Sequence, residues 1–198
     1  MIMKNIHLDI LLFLLLAAMA YHPLSAQVKY ETEAQIEKGE VPQRARQFIA
    51  RIQPTKSESW YREQNQDGVA IEVKLKKWGD RYSIKFSENG ELQDVEKEIK
   101  WKEIPRDVRE EMEEVWSESY DRHRVEKIQL HFEDDDERLL DYLQSGDLEE
   151  LGNDYTYEIE VRVKKESEYG LYEFVFDDDG EEKQRRLIVT RRTDNMEF

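Results

Sequence analysis

The stretch "IEVKLKK" at Ile71–Lys77 returns almost unchanged as "IEVRVKK" at Ile159–Lys165, and this repetition organises the chain. Val69, Ile71, Val73 and Leu75 alternate with Ala70, Glu72, Lys74 and Lys76. A period of two marks a strand with one core face and one wet face. Tyr155, Tyr157, Ile159, Val161 and Val163 repeat the alternation. Downstream, "YSIKF" at Tyr82–Phe86 is matched by "YEFVF" at Tyr172–Phe176, and each leads to a turn, Asn89-Gly90 and Asp179-Gly180. Such dipeptides supply the positive φ that tight hairpins need. Upstream, Val41, Ala45, Phe48, Ile49 and Ile52 recur at helical spacing, as do Ile104, Val108, Met112, Val115 and Trp116. Pro42 and Pro105 stand where a first-turn proline costs no hydrogen bond. The pattern predicts a duplicated unit of one helix followed by antiparallel strands, with the two units associating through a joined sheet or a shared helix interface.

Composition sets the chemical limits. Lys4 precedes the apolar run "ILLFLLLAAMA" at Ile10–Ala20, too short to span a bilayer but matching the core of a signal peptide. The small residue closing "LSA" at Leu24–Ala26 places cleavage between Ala26 and Gln27, so the mature protein is expected in the periplasm or outside the cell. The chain has 198 residues and a formal net charge of −16, which disfavours nucleic acid and anionic lipid as partners. No stable membrane insertion is expected once the leader is removed. With no cysteine, an exported fold must hold without disulfides, and thiol catalysis is excluded.

One region has no counterpart in the first unit. From Asp134 to Asp154 the chain carries nine acids and one base. Leu139, Leu140 and Leu143 can form one apolar helix face ended by Gly146. Two readings stand: a solvated excursion with a small docked helix, or an acidic arm for a partner. The candidate partner-binding residues are Asp134, Asp135, Asp136 and Glu137, together with Trp78, which lies in the hairpin "KKWGDRY" beside Gly79. Neither a Gly-x-Ser-x-Gly elbow nor a glycine-rich phosphate loop occurs. His123 and His131, eight residues apart, lack the i, i+4 spacing of a helical zinc pair and read as surface histidines. The acids at Glu133–Glu137 suit at most a weak calcium site, while "FDDDGEE" at Phe176–Glu182 fits turn chemistry better than an EF-hand loop. No catalytic residue, cofactor or metal ligand is assigned.

With these residues assembled, the chain resembles the PepSY-like, or β-lactamase-inhibitor-like, family of exported bacterial proteins of the Bacteroidetes type. The "V/I-P" helix openings, "IEVKLKK", and "YSIKFSENGELQDVE" with its counterpart "YEFVFDDDGEEKQRRLI" carry the resemblance. It implies an α+β fold of two tandem units, each a helix packed on a small antiparallel sheet. The expected division is a signal peptide at 1–26, a linker at 27–40, a first repeat at 41–100, a second at 101–192 with the acidic insert 134–154, and a tail at 193–198. The resemblance further implies a non-catalytic module that binds another envelope or secreted protein, as an inhibitor or regulator of an enzyme. An acidic calcium-binding or structural envelope protein is the alternative.

Overall fold

The computed structural model describes residues 27–54, 58–66, 68–148, 151–152 and 154–189; the expected leader and tail lie outside them. Ten strands are found among these residues: β1 (Gln27–Lys29), β2 (Glu31–Ile36), β3 (Ser59–Asn65), β4 (Gly68–Lys77), β5 (Asp80–Ser87), β6 (Leu92–Glu98), β7 (Arg122–Phe132), β8 (Tyr155–Lys165), β9 (Glu168–Phe176) and β10 (Glu182–Ile188). Three helices accompany them: α1 (Gln43–Ile52), α2 (Arg106–Ser119) and α3 (Asp136–Ser145).

The strands form one sheet in the order β1-β10-β9-β8-β7-β6-β5-β4-β3-β2. Only Tyr30 separates β1 from β2, yet they pair with opposite ends of that sheet. β1 lies parallel to β10, with Val28 opposite Leu187, and β2 lies antiparallel to β3, with Glu33 opposite Glu63. Both edges are therefore held by one short run of chain, so the sheet curls into a nearly closed barrel. This corrects the expected architecture. The chain does not build two α+β units, each with its own small sheet, as the PepSY-like resemblance implied. β6 pairs with β7 through Val95–Phe132 and Glu98–Gln129, which makes the strands continuous, and segment 27–40, read above as a linker, supplies the closing strands.

The repeated segments occupy corresponding places in the two halves of this sheet. Ahead of each of the first two helices, a single 3-10 turn is closed by a glutamate: Glu37 N–H donates to Glu40 Oε2, and Lys100 N–H to Glu103 Oε2, both at 2.9 Å. Gly90 (φ 81°) tucks its hairpin under the start of α1, where a Cβ would lie 2.9 Å from Pro42 Cβ. Gly180 (φ 92°) does the same under α2, 3.0 Å from the Val108 carbonyl oxygen.

The helices cover the outer, apolar face. α1 sets Phe48 edge-on against Phe86 at 5.7 Å, and α2 sets Trp116 against Phe174 and Phe176 at 5.9 and 5.8 Å. α3, from the acidic insert, contributes Tyr142, whose ring lies 5.0 Å from Phe132 and 6.4 Å from Tyr82. Leu139 and Leu143 are fully buried there and Leu140 nearly so. The insert is thus part of the core. Leu143→Ala should cost about 2 to 5 kcal/mol, as other buried leucines do. Deleting 134–154 should lower the melting temperature sharply, because it uncovers the outer face between α1 and α2; thermal unfolding followed by circular dichroism checks both.

Candidate functional site

The alternation that puts Ile71, Val73 and Leu75 under the helices turns Ala70, Glu72 and Lys74 to the concave side of the sheet. The other strands turn charged residues to the same side, with local register shifts in β6, β7 and β10, so the wet face expected from the sequence is the lining of the barrel. Glu63, Glu72, Glu96 and Glu173 are all buried there, Glu63 to 1 % exposure.

Two spaces with part of their lining in common lie in the interior, an upper chamber of about 700 Å³ and a lower one of about 290 Å³. Lys29, Glu31, Lys85 and Glu96 line both and form the waist between them. The waist is an ion-pair lattice. Lys29 binds Glu173 and lies 3.5 Å from Glu31, while Arg186 also reaches Glu173. Lys85 Nζ stands 3.5 Å from both Glu63 and Glu96, and the Gln129 amide donates to Glu96. Below the waist, Lys74 bridges Glu33 at 2.7 Å and Glu72 at 3.1 Å.

The lattice sets the protonation states. Burial works against the charge on Lys29, but Glu173 and Glu31 outweigh it and hold the ammonium above its usual range. Burial likewise opposes Lys85, and Glu96, Asp94 and Glu63 raise it. Burial would lift Glu96, yet Lys85 and Lys127 bring it below the ordinary value. Asp94 goes the other way. Burial, reinforced by Glu96 and Glu158, pushes its carboxyl up to about 7 against the opposing pull of Lys85 and His131. Its Oδ1 is shut off from solvent and accepts no hydrogen bond. Glu158 is also raised, by burial and by Glu173.

The upper chamber is strongly acidic. Nine carboxylates line it against three bases, Lys29, Lys85 and Arg186, and one histidine. Glu133, Asp154, Asp177 and Asp178 belong to this lining, on the loops that edge the opening. His131, expected on a surface, lies inside, 3.8 Å from Glu158 and 3.7 Å from Glu133. No group of three acidic or imidazole side chains among the described residues converges tightly enough to hold a metal ion.

The residues singled out from sequence lie elsewhere. Trp78 sits in the β4–β5 turn with φ 53° and is 49 % exposed. Its ring packs on Gly146 at the end of α3 and carries Lys77 Nζ 4.4 Å from its centroid. Asp134 pairs with Arg138, and Asp135 caps α3 by accepting from the Glu137 and Arg138 amides, both at 3.1 Å. Asp136 reaches Arg44 at 3.3 Å and Glu137 reaches Arg51 at 3.1 Å, so two of these acids fasten α3 to α1. Sequence reasoning missed the chamber, although a signal was present. Charged residues of one parity, among them Glu72, Lys85, Asp94, Glu96, Glu158 and Glu173, alternate with apolar ones along β4, β5, β6, β8 and β9.

Neither a family model nor a curated protein matches this chain.

Asp94 offers a direct test of the electrostatics. Its ordinary value is 3.8, and the folded chain holds it near 7, so the native state binds this proton more tightly than the unfolded chain. Its contribution is therefore most favourable below about pH 4 and is lost as pH rises to about 7. The stability of Asp94→Asn relative to wild type should accordingly grow across that window, by at most about 1.4 kcal/mol per pH unit, and level off above it. Urea unfolding at a series of pH values measures the difference.

Proposed function

We propose that the chain is an exported, non-catalytic binding protein whose upper chamber holds a small organic cation. The observation that carries this reading is the chamber itself: its 700 Å³ falls in the range of small-molecule sites, and its charge is one-sided. All three bases that line it are already paired with glutamates, whereas acids remain in excess. An ammonium or guanidinium group placed there gains Coulomb energy in a partly desolvated site, and an anion is repelled. The spread of the carboxylates favours a cation with hydrogen-bond donors over a coordinated metal. The non-catalytic reading rests on the lining. Among the described residues of that lining Thr156 is the one aliphatic hydroxyl, and its Oγ1 lies 3.5 Å from His131 Nδ1, at the outer limit of a hydrogen bond. Export is supported by the apolar run Ile10–Ala20.

A protein partner, as an inhibitor or regulator would have, is the second reading, and the half-exposed Trp78 ring favours it. Calorimetric titration of the chain beginning at Gln27 separates the two. Spermidine should bind and weaken as salt is raised, while a neutral polyol and a dicarboxylate of similar size should not bind. A chain that ignores spermidine at low salt, or binds the dicarboxylate equally well, overturns the chamber reading. Loss of partner capture on Trp78→Ala, with cation binding absent, would support the second.

A further inference from the structure

The carboxylates of the upper chamber and of the waist below it differ in how they are occupied. Glu63 accepts from Asn65 and faces Lys85, Glu96 has Gln129 and Lys85, Glu173 has Lys29 and Arg186, and Glu158 has Arg186 at 3.5 Å. Glu31 has Lys29, and Asp177 has Lys183 at 2.8 Å. Glu133 and Asp154 stand at longer range from His131 and Arg138, 3.7 and 4.0 Å. Asp94 and Asp178 are the two that hold neither a hydrogen bond nor an ion pair among the described residues, although both line the chamber. They differ in position. Asp94 stands on β6 directly opposite Lys85 of the waist, and Asp178 stands in the turn that joins β9 to β10.

We propose that these two aspartates anchor the two ends of a dicationic ligand, a diamine or polyamine, and that its inner ammonium group displaces a proton from Asp94. The proposal rests on the cation-binding reading and adds the ligand's charge number and a coupled proton. The step balances: the Asp94 carboxyl releases one proton to water, and an ammonium N–H then donates to its Oδ1. No covalent bond forms.

The groups facing Asp94 make this exchange favourable. Lys85 from β5 and His131 from β7 oppose its protonation, while Glu96 on its own strand and Glu158 from β8 promote it. Lys29 from β1, Glu31 from β2, Glu63 from β3 and Arg186 from β10 complete the surrounding wall, with Lys29 and Arg186 both tied to Glu173 of β9. So many carboxylates in one space cannot all carry charge without a counterion. A proton on Asp94 meets that need in the empty chamber, and a ligand cation meets it in the filled one. Glu158 and Glu31 are lifted by burial as well, but each keeps a cationic side chain within 3.5 Å. Asp94 is the group left to exchange.

Calorimetry of 1,4-diaminobutane and spermidine in buffers of different ionisation enthalpy counts the protons released. On this proposal nearly one proton leaves per ligand bound at pH 6, about half at pH 7 and almost none at pH 8. Affinity should fall by up to about tenfold for each pH unit below 7. Asp94→Asn, an isosteric change, should bind with no proton release and no such slope. Asp178→Asn should keep the proton count but lose the preference for a diamine over butylamine. Binding at pH 6 without proton release overturns the proposal while leaving cation binding intact. So does an Asp94→Asn variant that keeps the wild-type slope, or a wild type that does not distinguish diamine from monoamine. Absence of amine binding at every pH would remove the underlying reading along with it.

Discussion

One run of chain, Gln27–Ile36, holds both edges of the sheet, and the rest of the structure depends on that. Its first three residues pair with β10 and its last six with β3, with Tyr30 between. A ten-stranded sheet left open would expose two rows of unpaired backbone groups. Binding both edges to the same run forces the sheet to curl, and the curl decides which face encloses space. Here the polar face is enclosed and the apolar face is outermost, so the three helices are obligatory cover.

Enclosing the polar face carries an energetic cost that the waist offsets. A carboxylate at Glu63's 1 % exposure is strongly disfavoured unless it is paired and hydrogen-bonded. Lys29 and Lys85 each serve more than one carboxylate, Arg186 joins Lys29 on Glu173, and Gln129 adds a neutral donor to Glu96. Such lattices contribute little net stability, because desolvation consumes most of the Coulomb gain. What they provide is shape. The waist keeps the two chambers separate and the acidic space above it open.

The elements were legible in the sequence and the curvature was not. Alternation at Val69–Leu75 and Tyr155–Val163, the helical spacing of Val41–Ile52 and Ile104–Trp116, and the turns at Gly90 and Gly180 all describe contacts a few residues apart. Alternation states that a strand has two faces; it does not state that the polar faces of ten strands look at one another. That fact depends on β1 and β2, whose run "QVKYETEAQI" alternates, Val28, Tyr30, Thr32, Ala34 and Ile36 against Lys29, Glu31, Glu33 and Gln35, but lies outside the duplicated units, and alternation names no pairing partner. The acidic insert misleads for a similar reason. Its charge is conspicuous, yet Leu139, Leu140, Tyr142 and Leu143 decide its place, and Arg44 and Arg51, whose charges meet Asp136 and Glu137, come from a helix more than eighty residues earlier. The candidate site was missed because its residues are scattered over all the strands and meet only once the sheet closes.

The pairing of β1 with β10 also fixes an order of events. The strand nearest the start of the described chain has as its neighbour the last strand of the sheet, with more than 150 residues between Lys29 and Ile188. The hairpins β4–β5 and β8–β9, by contrast, are joined by two residues each. Contacts that distant in sequence form late, since a long loop must close first. Hairpins and helices can assemble while synthesis is still under way, but the seam cannot zip until β10 has emerged. Until then the molecule is an open sheet whose acidic face is exposed to water, and its chamber comes into being in the final step of folding.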